Sequence, residues 1–179
     1  MYVRPGFIDA HLHMESSMLS PRQFARAVLM RGTTTVVADP HEITNVLGID
    51  GIRYIINATE GIPLNVYIAI PSAVPASGME TTGSFLGPED MIGFVDAYWK
   101  RIIALGEVMN FPGVLNLDRE LITKIEILRH KYRKIDGHAP GLTGKELNAY
   151  MDAFIRSDHE CTTAAEALEK AARGMQVFI

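Results

Sequence analysis

Short apolar runs rich in β-branched residues alternate with amphipathic segments along the whole chain. The runs are continuously apolar, which is typical of parallel strands covered on both faces. Seven strands are predicted, over residues 7–9, 34–39, 65–70, 101–107, 134–137, 155–158 and 175–179. This alternation predicts an α/β fold, which is either a doubly wound sheet or a (β/α) barrel.

The segments between the strands carry signals of helix ends. Ser20 precedes Pro21, a proline at the first helical position, and Gly32 follows as a stop. Asp118 is a candidate N-cap for a helix with one apolar face. Two capping boxes are predicted, at Thr143 with Glu146 and at Thr163 with Glu166. Because no linker or break in composition interrupts this pattern, residues 1–179 are predicted to form one domain.

Two nucleotide-binding folds are excluded because the sequence lacks their motifs. A Rossmann fold needs a Gly-x-Gly-x-x-Gly turn after its first strand, and the sequence contains neither this turn nor a P-loop. The longest irregular stretch, 71–88, has the composition of an active-site loop. The barrel alternative therefore gains weight.

Histidines and acids cluster where the predicted strands end. Five of the six histidines lie at or just beyond such an end. In a (β/α) barrel these carboxyl ends face one common site. Residues two apart in an extended segment point to the same side, so His11 and His13 can bind one metal ion together. The predicted metal ligands are His11, His13, Glu107, His138 and His159.

Imidazole and carboxylate groups without thiolates suit Zn, Mn, Fe or Ni. Glu107 could bridge two ions about 3.5–4 Å apart. Other polar residues are predicted to surround the ligands, namely His41, Glu42, Asp158 and Glu160. His41 could equally brace the loop after the second strand. Ser72 and Glu80 are candidate substrate-binding residues by position only, and an ordinary polar loop is the alternative.

Composition narrows the class of protein further. A net charge of −4 gives no positive field, so nucleic acid is not expected as a partner. No apolar run reaches the roughly 20 residues that span a bilayer, so no membrane contact is expected. A single cysteine, Cys161, excludes a disulfide framework and favours a reducing, cytoplasmic location.

Length changes the picture of the barrel. A complete barrel typically needs about 250 residues, whereas the chain has 179. The fold class predicted is therefore α/β of the (β/α)8 TIM-barrel type, incomplete, with about six to seven βα units. Such a barrel has unpaired strand edges, which predicts a homo-oligomer.

The segment 5–13, Pro-Gly-Phe-Ile-Asp-Ala-His-Leu-His, resembles the first-strand signature of the amidohydrolase superfamily of metal-dependent hydrolases. Within that superfamily the chain is most similar to the adenine deaminases. The segments that carry this similarity are 11–17, 38–43, 71–76, 106–110, 136–141 and 157–161.

The resemblance implies a binuclear centre of Mn or Fe, or Zn. His11 and His13 would bind the more buried ion, His138 and His159 would bind the second, and Glu107 would bridge both. Glu107 and His138 would be catalytic. The implied reaction is the conversion of adenine to hypoxanthine and ammonia, a step of purine catabolism. The substrate would therefore be a small purine. Metal coordination lowers the pKa of water from 15.7 toward about 7, which supplies hydroxide at neutral pH.

One ligand of the family has no counterpart here, namely an aspartate after the eighth strand. We therefore expect the chain to be inactive alone, as a part of the full-length enzyme. Two alternatives stay open. One is an amidohydrolase that acts on another cyclic amide or amine, and the other is a catalytically dead barrel fragment.

Overall fold

The computed structural model describes residues 2–178, and parallel strands alternate with helices throughout this range. Five strands form one parallel sheet in chain order: β1 (Phe7–Leu12), β2 (Thr33–Ala38), β3 (Asn65–Ile70), β4 (Ile102–Val108) and β5 (Lys134–Gly137). Two short strands form a second parallel pair: β6 (Ser157–Asp158) and β7 (Gln176–Val177). A bridge between Ile135 and Ile155 joins the segment before β6 to β5. The strands therefore follow one another around a curled, partial barrel.

Helices follow each of the first six strands. They are α1 (Pro21–Leu29), α2 (His41–Leu47), α3 (Ile49–Ala58), α4 (Pro88–Ala97), α5 (Phe111–Leu115), α6 (Arg119–His130), α7 (Gly144–Asp152) and α8 (Ala164–Ala172). A 3-10 turn, Glu15–Ser17, follows β1. Within residues 2–178, no helix has the length and apolar character that crossing a membrane requires.

The predicted fold class is confirmed, since six strand–helix units and a seventh strand follow the order of a (β/α)8 barrel and leave it incomplete. The third and fifth strands have the predicted bounds. The first strand is longer than predicted and reaches Leu12, so that His11 belongs to the strand itself. The seventh strand is shorter, at Gln176–Val177, and the predicted strand residue Ile179 lies outside the described residues.

The core lies between the central strands and the helices. Ile68 and Ile70 in β3 and Leu105 in β4 are fully buried, as are Ile52 in α3 and Leu128 in α6. The first strand differs, because Phe7 is 70% exposed and Ile8 is 69% exposed. β1 pairs only with β2 among the described residues, so its second edge is open.

The helix-capping predictions have mixed outcomes. The Asp118 carboxylate accepts the Leu121 N–H at 2.9 Å, as predicted. The box at Thr163 with Glu166 is half formed: the Thr163 hydroxyl accepts the Glu166 N–H at 3.2 Å, but the Glu166 carboxylate accepts the N–H of Thr162 instead of that of Thr163. The box at Thr143 with Glu146 is wrong, because the Thr143 side chain makes no capping bond. There the N–H of Gly144 is bound instead by Glu169 of α8 at 2.8 Å, so a neighbouring helix satisfies this turn.

Candidate metal centre

The carboxylate of Glu107, at the end of β4, is the point on which four imidazoles converge. His13 Nε2 lies 3.3 Å from Glu107 Oε1. His138 Nδ1, His159 Nε2 and His11 Nε2 lie 2.6, 3.1 and 3.9 Å from Glu107 Oε2. The structure thus brings all five predicted ligands together at the carboxyl ends of the strands.

Four groups of possible ligand atoms overlap at this site, and two of them consist only of predicted ligands. The first is His11, His13 and Glu107, and the second is Glu107, His138 and His159. Within each group the ligand atoms lie within 4.8 Å of one another. The His11 and His159 rings stack with centroids 3.8 Å apart, which brings the groups side by side. Because both groups contain Glu107, the donor set fits two divalent cations bridged by one carboxylate.

Asp136 of β5 contacts the first of these groups and was missed by the sequence reasoning. Its Oδ2 lies 2.8 Å from His11 Nδ1, and its Oδ1 accepts the hydroxyl of Ser157. An Nδ1–H donated to Asp136 leaves Nε2 of His11 as the atom with a lone pair. That Nε2 is buried and lacks a hydrogen-bond partner within residues 2–178, as a metal-ligating nitrogen would.

Tyr150 of α7, also missed, joins the backbones of the β4 and β5 ends. Its buried hydroxyl donates to the carbonyl of Val108 at 2.6 Å and accepts the N–H of His138 at 3.0 Å. Val108 directly follows Glu107. One hydroxyl therefore sets the separation between the chain at Glu107 and the chain at His138. No sequence signal distinguishes Tyr150 from an ordinary core aromatic.

Asp39, at the end of β2, places a further buried carboxyl group beside the site. Its carbonyl lies 2.9 Å from His13 Nδ1, whereas neither side-chain oxygen has a hydrogen-bond partner in the described part of the chain. Burial and then the negative charge of Glu107 raise the pKa of Asp39 well above its usual range. A Cβ at Gly106 would lie 2.1 Å from Asp39 Oδ2, so only glycine fits before Glu107.

The imidazoles control the charge of the central carboxylate. Burial raises the pKa of Glu107, but hydrogen bonds from His13, His138 and His159 outweigh burial and hold this pKa far below its usual range. In turn, the hydrogen bond to Glu107 raises the pKa of His13 to about 10 and also raises the pKa of His138. These contacts favour the ionised form of Glu107, which is the form that binds cations.

The predicted surrounding residues lie at different distances from the ligands. The ring centroid of His41 is 6.3 Å from that of His13, and burial lowers the pKa of His41. Glu42 is exposed, with its Oε2 3.7 Å from His13 Nδ1. Asp158 is fully buried beside His159, and the side chain of Glu160 is exposed.

The two candidate substrate-binding residues have different environments. Ser72 is buried after β3, and its hydroxyl donates to the carbonyl of Glu107 at 2.6 Å. Glu80 is exposed in the loop between β3 and α4. The hydroxyl proton of Ser72 is therefore used to hold the Glu107 backbone, and purine binding by Ser72 or Glu80 stays a prediction.

Sequence comparison places the whole described chain in one family. The model of the amidohydrolase family matches residues 2–178. The chain is 70% identical to an adenine deaminase of Thermosipho melanesiensis and 71% identical to one of Thermosipho africanus, in each case over 179 residues. It is 63% identical over 178 residues to an adenine deaminase of Kosmotoga olearia. These matches cover 99–100% of the chain but only 31% of each relative, so the chain spans about a third of their length.

Solved structures show the same architecture at much lower sequence identity. A TatD homologue of Escherichia coli K12, YjjV, has a TM-score of 0.59 at 14% identity, covering 96% of this chain and 66% of that one. Atrazine chlorohydrolase TrzN of Arthrobacter aurescens TC1, complexed with zinc, has a TM-score of 0.59 at 14% identity, covering 97% of this chain and 58% of that one. These likenesses concern the fold alone. With the family model matching 2–178, the chain belongs to the amidohydrolase family.

Proposed function

We propose that this chain supplies the main metal-binding part of an adenine deaminase, which hydrolyses adenine to hypoxanthine and ammonia. The observation that carries the proposal is the convergence of His11, His13, His138 and His159 on Glu107. The substrate is suggested by the relatives named adenine deaminase, at 63–71% identity over nearly the whole chain. A cytoplasmic location is part of this proposal and rests on the single cysteine.

His11 and His13 would hold one cation, His138 and His159 would hold the other, and Glu107 would contact both. Mn or Fe, or Zn, fits a donor set of imidazoles and one carboxylate. When bound, two such ions lower the pKa of water and supply the hydroxide that displaces the exocyclic amine. Asp136 and Tyr150 orient the ligands, through the His11 side chain and the His138 backbone.

Glu107 and His138 are the proposed catalytic residues. The His138 side chain is partly exposed and lies 2.6 Å from Glu107, whereas the side chain of Glu107 is almost fully buried. A substrate can therefore reach the His138 ring directly. His138 would act while it holds its cation, on the side open to the substrate, and Glu107 would keep its charge toward both cations.

We propose that turnover needs a protein of the relatives' full length, because the chain corresponds to about a third of each. Ammonia release from adenine is the decisive assay, performed with Mn or Fe on the 179-residue chain and on a full-length protein that carries it. We expect release from the full-length protein only, and its loss in the full-length Glu107→Gln variant. Absence of release from the full-length protein would contradict adenine deamination, and ordinary turnover by the 179-residue chain would contradict the requirement for more chain.

A second candidate is hydrolysis of a different ring substrate by the same centre. The chlorohydrolase TrzN, which shares the fold at low identity, acts on atrazine and thus on another ring. A panel of adenine, other aminated rings and cyclic amides separates the two candidates. Preference for a substrate other than adenine would favour this second candidate.

A further inference from the structure

Lys170 of α8 is fully buried, a rare place for a lysine unless its charge is paired. Its Nζ donates to the carbonyl of Ala139 at 2.7 Å, to Glu166 Oε1 at 2.6 Å and to Asp158 Oδ2. A lysine ammonium has three N–H donors, so each is used. None of these three partners is a predicted metal ligand. Two of them are sequence neighbours of a ligand, because Ala139 follows His138 and Asp158 precedes His159.

Asp158 connects Lys170 to both histidines of the second ligand group. Its Oδ1 accepts the backbone N–H of Glu160 at 3.1 Å and that of Ala139 at 3.3 Å. His159 lies between Asp158 and Glu160, and Ala139 directly follows His138. One carboxylate therefore holds the chain on both sides of His159 and on one side of His138.

Glu166 connects the same two loops a second time. Its Oε1 accepts the N–H of Gly141 at 2.8 Å, in the loop after β5. Its Oε2 accepts the N–H and the hydroxyl of Thr162, both at 3.0 Å, in the loop after β6. The two carboxylates meet at Lys170, which is the centre of the connection.

The backbone pairing around His159 is short. β6 has two residues, and it pairs with the two residues of β7. Strand pairing alone thus fixes little of the loop that carries His159. Lys170, Asp158 and Glu166 form a cluster, which we call the Lys170 cluster. Its hydrogen bonds hold the His159 loop where strand pairing does not.

The cluster already contains a cationic group of its own. Asp158, Cys161 and Glu166 present atoms that could surround a cation, but the ammonium of Lys170 bonds both carboxylates. Burial lowers the pKa of Lys170, but contacts with Asp158 and Glu166 outweigh burial and raise it. Burial raises the pKa of Glu166, but the bond from Lys170 and those from the backbone reduce it to about 2.

We propose that Lys170 is a positioning residue of the metal centre, which fixes the loops of His138 and His159 in their ligating arrangement before any cation binds. Groups that orient ligands in this way change metal affinity by roughly 10–100-fold when they are removed. The proposal rests on the proposed function only for the presence of a cation. The fixed geometry of the two loops is a property of the metal-free chain.

The test is Lys170→Met in the 179-residue chain, because methionine approximates the length of lysine without its charge. Amide hydrogen exchange of the metal-free chain should accelerate at Ala139, at Gly141 and over 158–162, and not in β2 or β3. Titration with Zn²⁺ should show a loss of roughly 10–100-fold in affinity at one ion while the other ion binds as in the wild type. Leu128→Ala, a buried change in α6 outside the cluster, is the control for general destabilisation and should speed exchange evenly over the chain, without the selective increase in the two loops.

Unchanged exchange in the two loops, or an increase spread evenly over the chain, would overturn the proposal. If Lys170→Met does not fold, Glu166→Gln decides by the same measurements, since it removes one charge and keeps the shape. If the wild type binds no Zn²⁺, the proposed function fails, and the exchange experiment still tests the role of Lys170.

Discussion

His11 Nδ1 lies 2.8 Å from Asp136 Oδ2, although the two residues come from opposite edges of the five-stranded sheet. β1 and β5 are separated by three strands, so this contact forms only because the sheet curls. The same curl brings ligands from separate strands together at one centre. It also gives His11 a fixed ring orientation, with Nε2 directed toward Glu107.

Asp136→Asn should weaken metal binding by roughly 10–100-fold, because an amide oxygen is a weaker hydrogen-bond acceptor for His11 Nδ1 than a carboxyl oxygen is. Calorimetric titration of the metal-free chain with Zn²⁺ measures this change. Asp152→Asn is the matched control, since Asp152 is exposed on α7. Equal affinity in Asp136→Asn and the wild type would show that the contact with His11 does not matter for binding.

Tyr150→Phe should lower the free energy of unfolding by about 1–3 kcal/mol, because the Val108 carbonyl and the His138 N–H lose their buried partner. Urea denaturation at neutral pH gives this difference. Tyr132→Phe provides the comparison, since Tyr132 is 96% exposed, and it should unfold as the wild type does. A wild-type midpoint for Tyr150→Phe would refute the role of the hydroxyl.

Glu166 should make the stability of the metal-free chain sensitive to acid. Its pKa is about 2 in the folded chain and 4.5 as an ordinary glutamate, so its contribution is fully present above 4.5. The contribution is lost as the pH falls from 4.5 toward 2, where protonation breaks the contact with Lys170. The groups that face Glu166 are Lys170 and Thr162, with Asp158 and Cys161 close by.

Glu166→Gln should therefore lose less stability than the wild type over this interval, although it is less stable at neutral pH. Urea denaturation at successive pH values measures both effects. Glu146→Gln, a change at an exposed glutamate of α7, should follow the wild-type profile. Parallel curves for Glu166→Gln and the wild type would contradict the assignment.

The open edge of β1 should cause the isolated chain to associate. Phe7 and Ile8 are largely exposed there, and unpaired strand edges with apolar side chains bind other chains. Ile8→Lys should reduce association, as judged by light scattering over a range of concentrations. Met30→Lys removes an exposed apolar side chain at the end of α1 and should change little. A monomeric wild type at high concentration would count against this prediction.

The strand-end histidines could be predicted from the sequence because their signal is local. An apolar run followed by a polar ligand predicts both a strand and the position of its carboxyl end. The barrel then brings those carboxyl ends together. Asp136 carried the same signal, since it stands two residues before His138 as His11 stands two before His13. It could have been found by the rule that residues two apart share a side of a strand.

Tyr150 and Lys170 could not be predicted in this way. Tyr150 occupies an apolar position of α7, where a core aromatic and a hydrogen-bonding one look identical. Lys170 with Glu166 has the four-residue spacing of an exposed ion pair on a helix. Only the packing of α8 against the loops after β5 and β6 shows that this pair is buried.

The most direct measurement is the metal content of the purified chain after equilibration with Mn²⁺ and removal of free ion. If Glu107 joins two ligand groups, the wild type should hold two Mn²⁺ per chain, and Glu107→Gln should hold one at most. Equal metal content in the wild type and in Glu107→Gln would contradict a binuclear centre bridged by this carboxylate.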